Sequence, residues 1–395
     1  MKKQEKKKRI YMDYAATTPV DKKVVKAMLP YFTEKYGNTS SIHTMGTIAN
    51  TAVNRVREEI ANYISCQINE VYFTSSATES NNWALKCVAS ANKDKGDKII
   101  ISSIEHDCVL NSAEWLSKNG FNVEHAPVDE FGSVKLDELE KMMTKDTILV
   151  SVMHSNNEIG TIQPIEEIGK ICKKKGILFH TDASQSFGKM PINVQKLNID
   201  LLTASSHKIY GPKGVGLLYI KNGVKIDTFI HGGGHERGKR SSTVNVPAIV
   251  GFGKALEICI KEMYDEKLRL TNLRDKIIKS VLKNIPDSHL NGHSTKRLPN
   301  NIDMRFDFIE GEALMMELDM NGIEVSTVSA CSSPKLQASH VLLSCGVEEK
   351  YAQGTIRITL GRYTKESEVK YLLEVLPKAV QKLRKISPMN IHNSE

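Results

Sequence analysis

The sequence lacks the patterns that mark several large protein classes. Its seven cysteines include no C-x-x-C pair, and their odd number argues against a disulfide framework. No run of about 18 apolar residues is present to cross a bilayer, and no apolar segment follows the basic start as in a secretory signal. The motifs G-x-x-x-x-G-K-[ST] and H-E-x-x-H and a post-strand G-x-G-x-x-G are also missing, which argues against P-loop and nicotinamide-dependent enzymes. We therefore expect a cytoplasmic protein without a membrane segment.

Outside the N-terminal residues, the chain has little net positive charge. The net charge is +8, and residues 1–9 (MKKQEKKKR) carry +5 of it, so the remaining 386 residues carry only +3. We interpret the start as a solvated basic arm. A nucleic-acid-binding module is the alternative, but no basic patch with interleaved aromatic residues supports it, and we expect no direct contact with nucleic acid.

Apolar segments typical of strands alternate with helical patterns over the first 260 residues. Short apolar runs predict strands, and the amphipathic stretches between them predict helices. This alternation favours a mainly parallel sheet that is covered by helices on both faces. The predicted strands are 71–74, 98–102, 147–153, 177–181 and 200–204, and the predicted helices include 48–64, 79–91 and 165–175.

The remaining sequence predicts a second, smaller unit. A long helical pattern extends from about 248 to 283, in one piece or two. Beyond it, strands at 301–306, 323–326 and 355–359 mix with helices at 312–320 and 365–385. The predicted fold class is therefore α/β, with a large domain and a smaller α+β C-terminal domain.

Polar residues gather where several predicted strands end, which is where α/β sheets bind ligands. Residues 73–82 (FTSSATESNN) run from a strand into a helix, whose first N–H groups suit a phosphate; a helix cap by Thr78 is the simpler interpretation. In residues 177–185 (ILFHTDASQ), Asp182 would hold a protonated ring nitrogen and Gln185 a ring oxygen. A helix cap is again the simpler alternative there.

Two further clusters contain candidate reactive side chains. Lys208, in residues 203–216 (TASSHKIYGPKGVG), would form a Schiff base if partly desolvated, and an ordinary surface lysine is the alternative. Cys331, in residues 326–334 (STVSACSSP), lies in a small-residue stretch that suits a nucleophilic thiolate, and a tolerated loop cysteine is the alternative. A ring-nitrogen acid, a Schiff-base lysine and a phosphate turn are together the parts of a pyridoxal-phosphate site.

Further motifs accompany these clusters along nearly the whole chain. They are residues 11–19 (YMDYAATTP), 104–106 (IEH), 153–160 (MHSNNEIG), 231–238 (HGGGHERG), 240–243 (RSST) and 360–364 (LGRYT). In this order they resemble the cysteine desulfurases of the NifS/IscS type, in the class V aminotransferase group of fold type I pyridoxal-phosphate enzymes. The resemblance implies a segment 1–16 that packs on the small domain, a large cofactor domain at 17–262 and a small domain at 263–395.

The resemblance also implies roles around pyridoxal 5'-phosphate. Lys208 would bind the cofactor covalently, Asp182 would pair with the ring nitrogen, and Gln185 would contact the phenolic oxygen. His106 would stack on the ring and handle protons as a catalytic residue. The residues expected to contact the cofactor or its phosphate are Ala77, Thr78, Asn157, Ser205, His207 and, from a partner subunit of a homodimer, Thr243.

The implied reaction is the removal of sulfur from L-cysteine. Asn157 and Arg357 would hold the substrate carboxylate. Cys331 would accept the sulfur as a persulfide, leaving L-alanine, and would contact a metal only as a transient iron–sulfur ligand. Val328 and Pro334 stand where the family usually has glycine, so we expect them to affect the rate and the choice of acceptor more than the reaction type.

The expected sulfur acceptor is an iron–sulfur scaffold protein, and no membrane contact is expected. The alternatives are a selenocysteine lyase, another enzyme of the class V aminotransferase group, and a sulfur donor dedicated to tRNA thiolation. A non-catalytic sulfur-carrier or scaffold subunit is a further alternative, against which the complete set of Lys208, Asp182 and Cys331 argues.

Overall fold

The computed structural model describes residues 9–327 and 338–388. Strands β1 to β13 of this part of the chain are Ile10–Tyr11, Val71–Thr74, Lys98–Ser102, Asn122–Ala126, Thr147–Ser151, Leu178–Asp182, Leu201–Ser205, Gly216–Ile220, Ser288–Leu290, Asn301–Phe306, Ile323–Glu324, Ser326–Thr327 and Thr355–Thr359. Helices α1 to α12 are Lys22–Met28, Pro30–Thr33, Thr44–Ile64, Ala77–Ala91, Asp107–Lys118, Leu136–Met142, Ile165–Lys175, Val246–Asn284, Gly311–Met320, His340–Ser344, Glu349–Ala352 and Glu366–Ile386.

The larger sheet has the order β2-β8-β7-β6-β5-β3-β4. All of its neighbouring pairs are parallel except those that involve β8, which runs antiparallel to β2 and to β7. Alternate residues of a strand point to opposite sides of the sheet. Side chains on both sides are buried, so both faces of this sheet are covered. In β3, for example, Ile100 belongs to one apolar cluster, whereas Ile99 and Ile101 belong to another. The predicted fold class, with a mainly parallel sheet between layers of helices, is confirmed.

A third apolar cluster lies in the C-terminal part of the chain. It packs the antiparallel sheet β12-β13-β10-β9 against α9, α12 and the second half of α8. The N-terminal segment joins this cluster, since β1 pairs in parallel with β11 and Ile10 and Met12 are buried there. Arg9 forms exposed ion pairs with Asp319 and Glu324 at the same place.

Helix α8 is one continuous element that connects the two units. Its first half, up to Cys259, packs in the core beside the large sheet, and its second half, from Leu270 onwards, packs in the C-terminal core. None of its residues from 260 to 269 is buried. The sequence pattern did not decide between one helix and two, because the apolar periodicity is interrupted over these residues. In the structure the backbone stays helical throughout.

The strand arrangement brings several chain segments to one edge of the large sheet. Strands β3, β5, β6 and β7 are parallel, so their carboxyl ends share that edge. Strand β2 ends there as well, because it is related to β7 through two antiparallel pairings. A crevice at the carboxyl ends of such strands is the usual ligand site of α/β sheets. Over the described ranges, no helix is both long enough and apolar enough to span a membrane.

Candidate active site

A cavity of about 680 Å³ opens at this edge of the sheet. Eight of the residues singled out from the sequence line it: Ala77, Thr78, His106, Asn157, Asp182, Gln185, His207 and Lys208. They come from five separate segments that follow the ends of β2, β3, β5, β6 and β7, so the fold itself brings them together.

Lys208 extends towards the N-terminal segment of the chain. It lies in a short 3-10 turn directly after β7, and its Nζ donates hydrogen bonds to the carbonyl oxygens of Ala15 (2.6 Å) and Ala16 (2.8 Å). Gln185 Nε2 donates to the same Ala15 carbonyl at 3.1 Å. These contacts make Lys208 a half-buried, oriented amine at the cavity wall.

Asp182 presents a buried carboxylate at the end of β6. Its Oδ1 accepts the backbone N–H of Ser184 at 2.8 Å, and its Oδ2 accepts Asn81 Nδ2 at 2.6 Å. Each oxygen is therefore oriented by its own donor. A carboxylate fixed in this way at a cavity wall suits a protonated ring nitrogen.

The start of helix α4 forms another part of the cavity wall. Ser76, rather than Thr78, caps the helix, since its Oγ accepts the backbone N–H of Glu79. The helix-cap interpretation of Thr78 is therefore wrong, and its side chain is left to face the cavity. The first N–H groups of a helix have no partner within it, and they favour anions such as phosphate.

The loop at Ser76 packs tightly against strand β8. A Cβ atom placed on Gly216 would lie 2.6 Å from the carbonyl carbon of Ser76, so only glycine fits there. Glu79 is held in turn by Arg240, whose Nε lies 2.6 Å from the Glu79 carboxylate. These contacts fix the position of the helix start relative to the cavity.

His207 and Ser205 differ in their relation to the cavity. His207 lines it, and its Nδ1 lies 3.1 Å from Thr17 Oγ1. Burial lowers the pKa of His207 to about 4, and the positive charges of Lys208, Lys213 and Lys189 add to the effect, so the imidazole is neutral at pH 7. Ser205 is buried at the end of β7 and is not among the residues that line this cavity.

Arg357 lies beside the cavity on strand β13. Its Nη1 donates to the carbonyl oxygen of Asn157 at 3.2 Å, and its Nη2 pairs with Asp13 at 2.9 Å. Only 6% of its side chain is exposed. Asp303, its partner across the antiparallel sheet, is also buried. The guanidinium is thus held next to Asn157 by groups from both units of the chain.

Thr243, like Ser205, is a described residue that is not brought into this cavity. Thr243 lines a different cavity, together with Ser75, Glu236 and Arg240. Cys331 lies outside the described residues, so its predicted role as a transient iron–sulfur ligand stays a prediction. In the part of the chain that is described, no three His, Cys, Asp or Glu side chains are grouped to hold a metal ion.

Sequence reasoning missed several side chains of the cavity wall. Ser76, Cys108, Met153, Ser155 and Ser184 all line it. Each of them lies inside a quoted motif or within two residues of a side chain that was singled out. Extending each candidate by two positions would therefore have included them. Asn81, which holds Asp182, is visible only in three dimensions.

The cavity fits the cofactor that the sequence predicts. The hydroxyl oxygens of Ser155 and Ser184 are buried and have no hydrogen-bond partner among the described residues, as expected where a polar ligand would supply one. A helix start for the phosphate, an oriented carboxylate at Asp182 and the amine of Lys208 lie around the same space. The residues present therefore suit pyridoxal 5'-phosphate.

A buried carboxyl group beside this site gives a pH-dependent prediction. Burial raises the pKa of Glu158 to about 8; the charges of Asp303 and Asp107 add to the rise, while Ser339 and Arg357 oppose it. The folded protein thus keeps a proton that the unfolded chain releases, and the stability that this proton confers is lost as pH rises from about 4.5 to about 8.

Glu158→Gln should remove this loss, because an amide does not titrate. We expect the variant's free energy of unfolding to rise relative to wild type by about 1.4 kcal/mol per pH unit across that window. Denaturant unfolding at several pH values measures the difference, and Glu374→Gln, on the exposed side of α12, serves as the control. A difference between Glu158→Gln and wild type that stays constant with pH would contradict the prediction.

Comparison with known proteins identifies the family of the chain. Residues 10–372 match the family model "Aminotransferase class-V". The chain is 53% identical over 382 residues to "Cysteine desulfurase IscS" of Methanosarcina thermophila, covering 97% of this chain and 94% of that relative. A solved structure described as a NifS-like protein superposes with a TM-score of 0.90 at 43% identity, over 95% of this chain and all of that one.

A second solved structure, described as SspA in complex with cysteine, has a TM-score of 0.80 and 35% identity, over 90% of this chain and 100% of its own. The family match spans both units of the fold and every segment that lines the cavity. The chain therefore belongs to the class V aminotransferases, a family of enzymes that depend on pyridoxal 5'-phosphate.

Proposed function

We propose that this protein is a cysteine desulfurase. The observation that carries the proposal is the joint placement of Lys208 and Asp182 in one cavity, with the guanidinium of Arg357 held beside Asn157 at its border. The relatives named cysteine desulfurase, at 50–53% identity over nearly the full chain, support the same activity. The balanced reaction converts L-cysteine and the Cys331 thiol into L-alanine and a Cys331 persulfide.

The side chains would divide the work by position. Pyridoxal 5'-phosphate, when bound, supplies an electron sink for the carbon that loses its proton. Lys208, whose amine is oriented at the cavity wall, would attach the cofactor and then move the substrate proton. Asp182 would keep the ring nitrogen protonated, and His106 and Gln185 would contact the ring.

Arg357 and Asn157 would bind the substrate carboxylate. A guanidinium offers two parallel N–H groups to a carboxylate, which fixes the orientation of the amino acid as well as its affinity. Arg357 Nε is buried and has no hydrogen-bond partner among the described residues, whereas Nη1 and Nη2 contact Asn157 and Asp13. With its carboxylate held in this way, the substrate cysteine would present its sulfur atom to the attacking Cys331 thiolate.

The direct test is to incubate the holoenzyme with L-cysteine, to quantify L-alanine and to search the Cys331 peptide for one added sulfur atom by mass spectrometry. Equal amounts of both products are expected. Alanine without the added sulfur would count against the role of Cys331. Turnover of selenocysteine but not of cysteine would favour a selenocysteine lyase instead.

We infer a homodimer that passes sulfur to an iron–sulfur scaffold protein. Thr243 lies away from the cavity of its own chain, so it would reach a phosphate only in a second copy. The acceptor is inferred from relatives that carry the name IscS. The six described cysteines are all unpaired, which supports a reducing compartment such as the cytoplasm.

Removal of the Arg357 side chain should weaken substrate binding. Arg357→Ala is expected to raise KM for L-cysteine about 100-fold, because a charge-assisted bidentate contact contributes on the order of 3 kcal/mol. Arg357→Lys should recover only part of the loss, since an ammonium lacks the planar fork. Steady-state kinetics measure the effect, with Arg305→Ala on the neighbouring strand β10 as the control. An unchanged KM would contradict the assignment.

A further inference from the structure

The side-chain amide of Asn81 donates hydrogen bonds to two residues that line the cavity. It lies on α4 and is fully buried. Its Nδ2 donates to Asp182 Oδ2 at 2.6 Å and to Cys108 Sγ at 3.1 Å. Because the other carboxylate oxygen is held by the backbone of Ser184, Asn81 is the side chain that sets the rotation of the Asp182 carboxylate.

Cys108 continues this contact towards His106. It lies in the first turn of α5 and lines the cavity, and its Sγ is 3.1 Å from His106 Nδ1. The backbone N–H of Cys108 also points at that nitrogen, at 3.2 Å. A neutral thiol has one proton to donate and a sulfur that accepts weakly, so it can accept from Asn81 and donate to His106 at once.

The thiol of Cys108 is neutral at pH 7. Burial raises its pKa to about 12, and the negative charge of Asp182 adds to the rise. The S–H proton is therefore present, and His106 Nδ1 is the acceptor within reach. Because the backbone N–H of Cys108 is also aimed at Nδ1, Nε2 is the ring nitrogen left for a ligand or for proton transfer.

We propose that Asn81 and Cys108 are positioning residues, which join the Asp182 carboxylate and the His106 imidazole in one hydrogen-bonded chain. Asp182 ends strand β6, whereas His106 precedes helix α5, and the hydrogen-bonded chain fixes their mutual orientation across the cavity. Neither linking residue touches the cofactor's phosphate or the substrate carboxylate in the roles proposed above. The inference deepens the proposed function, since it rests on pyridoxal 5'-phosphate binding in this cavity.

The test measures cofactor binding in the absence of cysteine. Asn81→Ala should weaken the affinity for pyridoxal 5'-phosphate about tenfold and shift the absorption band of the bound cofactor, because the hydrogen bond to a charged group is lost. Cys108→Ala should give a smaller loss, about threefold, and Cys108→Ser should restore both affinity and spectrum because a hydroxyl also accepts and donates.

Matched controls separate positioning from loss of packing. Cys87→Ala removes a half-buried thiol from the same helix as Asn81, and Asn92→Ala removes a buried amide just after that helix, which donates to Val88 and Lys225 carbonyls instead. Neither control should change affinity or spectrum. If Asn81→Ala does not fold, the comparison of Cys108→Ala with Cys108→Ser decides.

Two outcomes would overturn the proposal. One is wild-type affinity and spectrum in a folded Asn81→Ala protein. The other is a Cys108→Ser protein that behaves like Cys108→Ala, which would show that the thiol only fills space. Since no substrate is present, a failure of cysteine desulfurase activity would leave these binding results intact, and the two hypotheses fail separately.

Discussion

Replacing Cys331 with serine should eliminate persulfide formation while the protein still binds its cofactor. A hydroxyl is a far weaker nucleophile towards sulfur than a thiolate, so we expect release of sulfide and alanine from L-cysteine to fall by roughly 100-fold or more. Affinity for pyridoxal 5'-phosphate should stay at the wild-type level, because every described residue that lines the cavity is kept. Alanine analysis and the absorption spectrum measure the two expectations on the same sample.

The other cysteines are unsuited to replace Cys331, which is why the expected loss is large. All six are described, and all are buried or half-buried. Burial raises their pKa values to about 11 for Cys87 and Cys259 and to about 12 for Cys66, Cys108, Cys172 and Cys345. A thiol with such a pKa is almost wholly protonated at pH 7 and attacks slowly.

Cys66→Ser provides the matched control, since it removes a half-buried thiol that does not line the cavity and should leave turnover unchanged. Normal alanine and sulfide output from Cys331→Ser would refute the proposed acceptor. In that event the added sulfur should be sought on Cys108, because it is the one described cysteine that lines the cavity.

Local patterns were sufficient for most of the large sheet. Strands β2 and β3 begin and end where the sequence predicts, because each is a short, largely apolar run with polar residues at both sides. Strands β10 and β13 of the smaller sheet also have their predicted bounds. Helix α3 begins four residues before its predicted start. The side chain of His43 accepts the Gly46 N–H and extends the helix through a polar turn that carries no apolar periodicity.

The candidate site was predictable to the extent that its residues follow strand ends. Asp182 could be singled out because it ends an apolar strand, and Lys208 because it follows one closely, at the edge of the sheet where ligands bind. Contacts that join distant segments could not be predicted in this way. The carbonyl oxygens that orient Lys208 lie more than 190 residues away in sequence, and Asn81 lies 101 residues from Asp182.

Helix boundaries at the site show the same limit. The sequence pattern offers Thr78 as a cap of α4, whereas in the structure Ser76 caps the helix. The choice depends on Gly216, whose missing side chain lets the Ser76 backbone approach β8 closely. Two segments that are far apart in sequence therefore decide which hydroxyl caps the helix and which one faces the cavity.

Removal of the Lys208 amine should have the largest effect on the chemistry. Lys208→Ala is expected to lower the rate of alanine formation by about 10⁴-fold, because it removes both the covalent attachment of the cofactor and the group that moves the substrate proton. Lys208→Arg should be equally inactive, since a guanidinium stays protonated and cannot form the link. Lys213→Ala, an exposed lysine five residues away, should remain active.

Borohydride reduction followed by peptide mass analysis tests the same assignment without turnover. The wild-type protein should carry the reduced cofactor on the Lys208 peptide, and Lys208→Ala should carry none. Lys189 is the alternative amine, because it lines a neighbouring cavity shared with Lys208 and burial lowers its pKa to about 8. A label on Lys189 in the wild-type protein would refute the role of Lys208. If the reduced cofactor is found on Lys189 only in Lys208→Ala, the cofactor cavity must open into the neighbouring cavity once the Lys208 side chain is removed.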